Sequence, residues 1–167
     1  MSALIHDGER SDHLVFLLAG ELYAVALESI HEIVKVGPIT RVPRARADIL
    51  GVMGVRGRLV TVLDLRRSIQ VQDAPIDARS RVLLLQVEEE DVGFLVEEVR
   101  EVERFTPSQI EPASVLGGIE RPYLRGVARR GPEMLVLIDL LPILPGREGS
   151  APNVGGQGLS FSGPGAP

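Results

Sequence analysis

Short apolar runs rich in Val, Leu and Ile, broken by Gly, Pro or acidic clusters, follow one another from residue 14 to residue 138, and none sustains a helical period. Such a pattern predicts strands. They fall near 14–19, 22–27, 32–36, 50–54 and 58–63, and again near 82–87, 92–96, 99–104, 125–129 and 134–138. Gly20-Glu21, Arg56-Gly57, Glu88 to Asp91 and Gly131-Pro132 supply the turns between them. Helix signals are brief. Thr106-Pro107-Ser108-Gln109 has the form of a capping box with Pro at the first helical position, and Asp64 and Asp139 stand where short helices would start.

The pattern is written twice. Tyr23 to Ile33 is echoed by Val92 to Val102, both following apolar, small, three apolar, Glu, x, apolar, x, Glu, apolar. Gly51-Val52 through Asp64-Leu65 is echoed by Gly126-Val127 through Asp139-Leu140, so the offsets are 69 and 75 and one small indel separates the two matches. Five short strands per unit are too few for a sandwich and suit a small closed barrel, which leaves no unpaired edge. The expected fold class is therefore all-β with short connecting helices: two pseudo-symmetric five-stranded SH3-like β-barrels.

The expected organisation is a flexible amino terminus over 1–13, a first barrel over about 14–67, a linker over 68–81 containing Pro75, a second barrel over about 82–144, and a tail from Pro145 to Pro167. Seven Gly and four Pro in those last 23 residues leave too little apolar surface to order the tail.

Composition narrows the function classes. The chain has no Cys, which removes disulfides, thiolate metal sites and a cysteine nucleophile. Met1 to His13 lacks the basic start and apolar middle of a secretion signal, and Met134 to Leu144 is interrupted by Asp139 and Pro142 and falls short of the ~20 residues of a membrane helix. A cytoplasmic protein without direct membrane insertion is expected. Net charge is −5 but segregated: residues 41–81 carry nine Arg against four Asp, whereas 82–103 carry one Arg against eight acids. That asymmetry suits docking between proteins.

Signatures of chemistry are sparse. His6, His13 and His31 lack metal-ligand spacing, and Gly51-x-x-Gly54-x-x-Gly57 is not a dinucleotide fingerprint. Asp64 and Asp139 resemble paired carboxylates, but they occupy equivalent repeat positions, as do Gly51 and Gly126; turn and cap roles account for all four. The Glu88 to Asp91 run suits a solvated hairpin turn. Arg41, Arg44, Arg46, Arg56, Arg58, Arg66 and Arg67 raise the alternative of a small-barrel nucleic-acid-binding protein, against which stand the overall acidity, a single Lys and 4% aromatics. No catalytic, cofactor-binding or metal-binding residue is assigned.

Combined motifs carry a family resemblance. Tyr23-Ala24-Val25 to Glu32-Ile33, Ile39-Thr40-Arg41-Val42-Pro43, Gly51 to Gly57 and Val62 to Arg67, continued by Val92-Gly93, Gln109-Ile110-Glu111-Pro112, Tyr123 to Val127 and Leu137 to Leu140, resemble the CheW-like chemotaxis coupling proteins over about residues 14–144. The resemblance implies a non-enzymatic adaptor in two barrels, recruited to receptor arrays. Its implied partners are the cytoplasmic tip of a methyl-accepting chemotaxis receptor and the regulatory domain of a CheA-type histidine kinase. It further implies receptor contacts at Glu32, Ile33, Val55, Arg56 and Gly57. The chain departs from the family's usual Asn-Leu-Arg-Gly turn, having Gly54-Val55-Arg56-Gly57.

Overall fold

Along the first strand, β1 (Ser11–Leu18), alternate side chains feed two different cores. Leu14, Phe16 and Leu18 enter a large cluster with Leu63, Leu83, Phe94 and Ile138, while Val15 joins a smaller one with Ala24, Phe105, Ala128, Leu135 and Leu137. A third cluster gathers Met53, Val60, Val62, Val82, Leu84 and Leu95. Two small interiors and one shared core between them are the period-2 pattern made three-dimensional.

The computed structural model describes residues 11–117 and 121–146. After β1 come β2 (Glu21–Ala26), β3 (Glu32–Lys35), β4 (Ile39–Thr40), β5 (Ile49–Val55), β6 (Arg58–Asp64) and a one-turn helix α1 (Leu65–Ser68). The second half continues with β7 (Arg81–Val87), β8 (Glu90–Val96), β9 (Glu98–Phe105), β10 (Ile110–Pro112), β11 (Leu124–Arg130) and β12 (Glu133–Ile138). All ten expected strands are present. The two additional ones, β4 and β10, have two and three residues, too few to show alternation.

The strands form two six-stranded SH3-like sheets, ordered β10-β11-β12-β2-β1-β9 and β3-β7-β8-β6-β5-β4. Two expectations change here. Each unit has six strands, not five, and its hydrogen-bonded ladder stays open at its two ends instead of closing. The units also do not follow one another along the chain. The β1-β2 hairpin leaves its own repeat and pairs with β12 and β9 of the second, while the β7-β8 hairpin pairs with β6 and β3 of the first. The division into 14–67 and 82–144 therefore gives way to a reciprocal exchange of hairpins. The 68–81 segment, of which Ser68 belongs to α1 and Arg81 to β7, lies between elements of one sheet. The physical reason is the parallel pairing of β6 with β8, which demands a long crossover and which alternation along single strands does not reveal.

Registers confirm the duplication residue by residue. Val136↔Tyr23, Leu137↔Ala24 and Ile138↔Val25 in one parallel pair match Thr61↔Val92, Val62↔Gly93 and Leu63↔Phe94 in the other, with the same offsets of 75 and 69. Bulges fall at equivalent places, between Ile49 and Gly51 and between Leu124 and Gly126. At both glycines a Cβ would lie far inside contact distance of a backbone carbonyl, that of Thr40 or that of Glu111, so the short strands β4 and β10 can approach only over glycine.

The amino-terminal boundary also moves. Ser11, Asp12 and His13 belong to β1, and His13 is buried with its ring edge-on to Phe105, because the apolar face of β1 begins there. Residues 1–10 and, of the expected tail, 147–167 lie outside the described residues, as does His6.

Candidate docking site

The β5-β6 connection is a two-residue turn in which Arg56 and Gly57 both take positive φ, 49° and 82°, with Val55 and Arg58 paired across it. This is the backbone that matches the twist of a hairpin. Arg56 in the turn and Arg58 beside it have different partners. Arg56 donates to both carboxylate oxygens of Glu32 on the edge strand β3, from Nη1 at 2.6 Å, and Arg58 pairs with Asp91 on β8. An edge strand and a turn that share no ladder are thus fastened by a bidentate ion pair.

Of the five residues that the resemblance singled out, Val55, Arg56 and Gly57 make up the turn region and Glu32 reaches it through its ion pair, whereas Ile33 takes the other face of β3. The Arg56 side chain is 68% exposed and Ile33 is 38% exposed. Val55 is half-buried against the Met53 and Val60 cluster, so it serves the sheet interior more than the surface. Leu59, missed in the sequence, is 74% exposed three positions after Arg56. Its signal was the alternation of β6, where Val60 and Val62 point inward and Leu59 and Thr61 take the other face. The hydrogen bond from Arg56 holds the Glu32 carboxyl below the usual carboxylate range, and the same pair raises the Arg56 guanidinium.

The second repeat has a counterpart. Arg130, at the β11-β12 turn, pairs with Glu101 on β9, and also with Glu103 at 3.2 Å and Glu133 at 2.7 Å. Glu101 is the repeat equivalent of Glu32, but Arg130 ends β11 at the position equivalent to Val55, so each edge-strand glutamate is tied to an arginine beside the hairpin turn from a different position.

Asp64 and Asp139 are local supports. Asp64 caps α1 by accepting from the Arg66 backbone N–H at 3.0 Å, and Asp139 accepts from that of Leu141 at 3.1 Å. Their own N–H groups donate to the equivalent carbonyls of Asp48 and Tyr123, both at 2.8 Å. Thr106 N–H donates to Gln109 Oε1 at 2.9 Å, completing the expected turn there as a 3₁₀ element.

One feature of this region gave no sequence signal beyond the arginine count. Arg66 is only 3% exposed, donating to Asp64 from Nε at 3.0 Å and from Nη2 at 2.9 Å, to the Ala74 carbonyl at 2.7 Å and to Glu97 at 3.3 Å. Glu97, in the crossover from β8 to β9, also accepts from the Ala19 N–H at 2.9 Å. This buried network spans both sheets. Nearby, burial pushes the Asp48 carboxyl up, but hydrogen bonds from Arg46 and Ser68 outweigh it and hold the group low.

The arginine-rich segment is accordingly no bare cationic surface. Six of its nine arginines, at 46, 56, 58, 66, 67 and 79, have carboxylate partners. Among the described residues no group of three His, Asp or Glu could hold a metal ion, and no helix is long and apolar enough to cross a membrane.

Residues 12–148 match the profile of the CheW-like domain. The chain belongs to the CheW-like domain family. Chemotaxis protein CheW of Klebsiella aerogenes is 30% identical over 149 residues, 89% of this chain and 90% of that protein, and the Treponema pallidum protein of the same name is 25% identical over 84% of this chain and 85% of its own length. The crystal structure of the scaffolding protein TtCheW from Thermoanaerobacter tengcongensis superimposes with a TM-score of 0.72 at 28% identity, covering 80% of this chain and 91% of that one. Among the described residues, twelve strands in two exchanged sheets carry this family's fold, and the β5-β6 turn holds Arg56 against Glu32.

Proposed function

We propose that this chain is a non-catalytic cytoplasmic adaptor that joins the cytoplasmic tip of a methyl-accepting chemotaxis receptor to the regulatory domain of a CheA-type histidine kinase. Family membership supports the scaffold role. The observation that carries the receptor site is the Arg56 turn: an exposed guanidinium fixed by Glu32, with Ile33 on the same edge strand and Leu59 on β6 also exposed. Exposed ion pairs contribute little to stability, so a receptor carboxylate can take over part of the Arg56 hydrogen bonding at small cost while Ile33 and Leu59 cover apolar receptor side chains. Glu32, Ile33, Arg56 and Gly57 form the contact in this reading, with Val55 holding the turn from inside.

Signal transfer then needs no chemistry in the adaptor. Two exchanged sheets tied by a buried ionic network form a stiff spacer, and a receptor shift that favours one kinase arrangement by about 1–3 kcal/mol suffices to bias its activity. The test is capture of the full chain on an immobilised receptor cytoplasmic fragment, with and without the kinase regulatory domain. The expected result is retention of all three together and loss of receptor capture by Arg56→Glu; undiminished capture by that variant removes the site, and absence of any capture removes the reading.

A further inference from the structure

Two arginines of the 41–81 segment stand apart from the rest. Six pair with carboxylates and Arg81 donates to the carbonyls of Ala78 and Ser80, whereas the side chains of Arg41 and Arg44 are exposed and have no partner among the described residues. They sit on the loop between β4 and β5, with Val42, 44% exposed, and exposed Pro43 between them. At the base of that loop, buried Asp48 accepts from Arg46 Nε and from Ser68 Oγ, both at 2.8 Å, while Arg46 also donates to the Ile143 carbonyl at 3.1 Å and Arg67 to that of Ala47 at 3.3 Å. The base is fastened and the tip is left uncovered. Arg44 moreover takes a φ of 65°, a conformation that is strained for a residue with a Cβ and that Gly or Asn adopts more readily. The fold does not demand these arginines. In the second unit β10 holds the place of β4, since Glu111 and Ile110 approach Gly126 as Thr40 and Ile39 approach Gly51, and the Ala113-Ser114-Val115-Leu116 that follows it carries no charge.

Two unpaired guanidiniums on either side of an exposed valine and proline fit an acidic protein surface with an apolar centre. Each guanidinium fork can take one carboxylate in bidentate fashion, and Val42 can cover an apolar side chain between them. A proline and a fastened base keep the cost of ordering the loop on binding low. Position adds a second argument. The loop precedes β5 and the Arg56 turn follows it, so seven residues of strand hold the two roughly 20 Å apart at about 3.4 Å per residue. A scaffold that joins two proteins needs two surfaces that do not overlap. We propose that the β4-β5 loop is the second docking surface of this chain, Arg41 and Arg44 taking an acidic segment of the kinase regulatory domain while the Arg56 turn holds the receptor.

The inference rests on the reading of this chain as an adaptor, and its test separates the two. Binding of the full chain is measured to the purified kinase regulatory domain and, separately, to the receptor cytoplasmic fragment. Arg41→Glu with Arg44→Glu is expected to weaken the kinase complex at least about thirtyfold and to leave the receptor complex unchanged, and Arg56→Glu to do the reverse. Arg41→Lys with Arg44→Lys, which keeps the charge but not the fork, is expected to fall between wild type and the Glu pair. Because neither side chain bonds another described residue, the Glu pair is expected to melt with the wild type; should it melt lower, Arg41→Gln with Arg44→Gln carries the same comparison. Kinase binding undiminished in these variants overturns the proposal. So does a loop that binds a single-stranded oligonucleotide in place of the kinase domain and loses it in the Glu pair. A wild-type chain that captures neither protein removes the adaptor reading itself, an outcome distinct from intact capture that ignores the loop.

Discussion

Arg56 and Glu32, 24 residues apart in sequence, meet in a bidentate ion pair that fastens the β5-β6 turn to the edge strand β3. Since the pair lowers the Glu32 carboxyl below its ordinary value, its contribution to stability is present above the ordinary carboxylate range and is lost as pH falls through the lowered folded value. Carboxyl ¹³C titration is expected to show Glu32 ionising below a free glutamate, and Arg56→Gln to raise its midpoint. An unchanged Glu32 midpoint in that variant would show the pair absent in solution.

The same exposure makes Arg56 a surface residue energetically. Arg56→Glu is expected to keep the wild-type circular dichroism spectrum and to melt within about 4 °C of wild type, the charge reversal beside Glu32 being screened by solvent. A much larger loss would make the turn a structural clamp and would remove the ground for reading receptor binding from this variant.

Arg66 is the opposite case. Truncating one partner of a buried pair strands the other, so Arg66→Ala is expected to destabilise the protein by about 3–5 kcal/mol in urea unfolding. Replacing the Asp64–Arg66 pair, as in Asp64→Leu with Arg66→Met, is expected to recover part of that loss, because the α1 cap and the Glu97 contact are lost with it. If Arg66→Ala costs under about 1 kcal/mol, the network is not the tie between the sheets described above.

Strand positions, turns and the twofold repeat were all legible in the sequence because each is local: alternation, Gly and acidic turns, and recurring spacing. The pairing was not. Nothing in Leu14 to Ala26 states that this hairpin lies against Val136 and Val102 and away from its own repeat, since its inward and outward faces are apolar in either placement. The site divides in the same way. Glu32, Arg56 and Gly57 are proposed on motif and turn chemistry, whereas the Glu32–Arg56 pairing itself, the exposure of Leu59 and the Arg66 network depend on which strands become neighbours.

Equivalent glycines separate backbone need from surface need. Gly51→Ala and Gly126→Ala each drive a methyl into a carbonyl of the adjoining short strand and are expected to cost about 3 kcal/mol or more. Gly54, with open space around its Cβ position, is expected to tolerate Ala or the family's Asn within about 0.5 kcal/mol. Thermal or urea unfolding of the four variants decides the matter; equal effects at 51 and 54 would contradict the close approach of β4 to β5.

Exchange of hairpins makes a prediction about the chain cut in two. A break between Ile76 and Asp77 falls in an exposed connector, so it severs no strand, yet each fragment keeps a hairpin whose partners are on the other. Residues 1–76 retain β3 to β6 without β7 and β8, and residues 77–167 retain β9 to β12 without β1 and β2. Each alone leaves open the edges that β2 and β8 cover by parallel pairing and exposes the shared Phe16 and Phe94 core. Neither fragment is expected to give a dispersed amide spectrum by itself, and an equimolar mixture is expected to recover the spectrum of the intact chain. Independent folding of either piece would restore the simpler arrangement of two barrels in series, because only units that keep all their strands within one stretch of sequence can fold without the other.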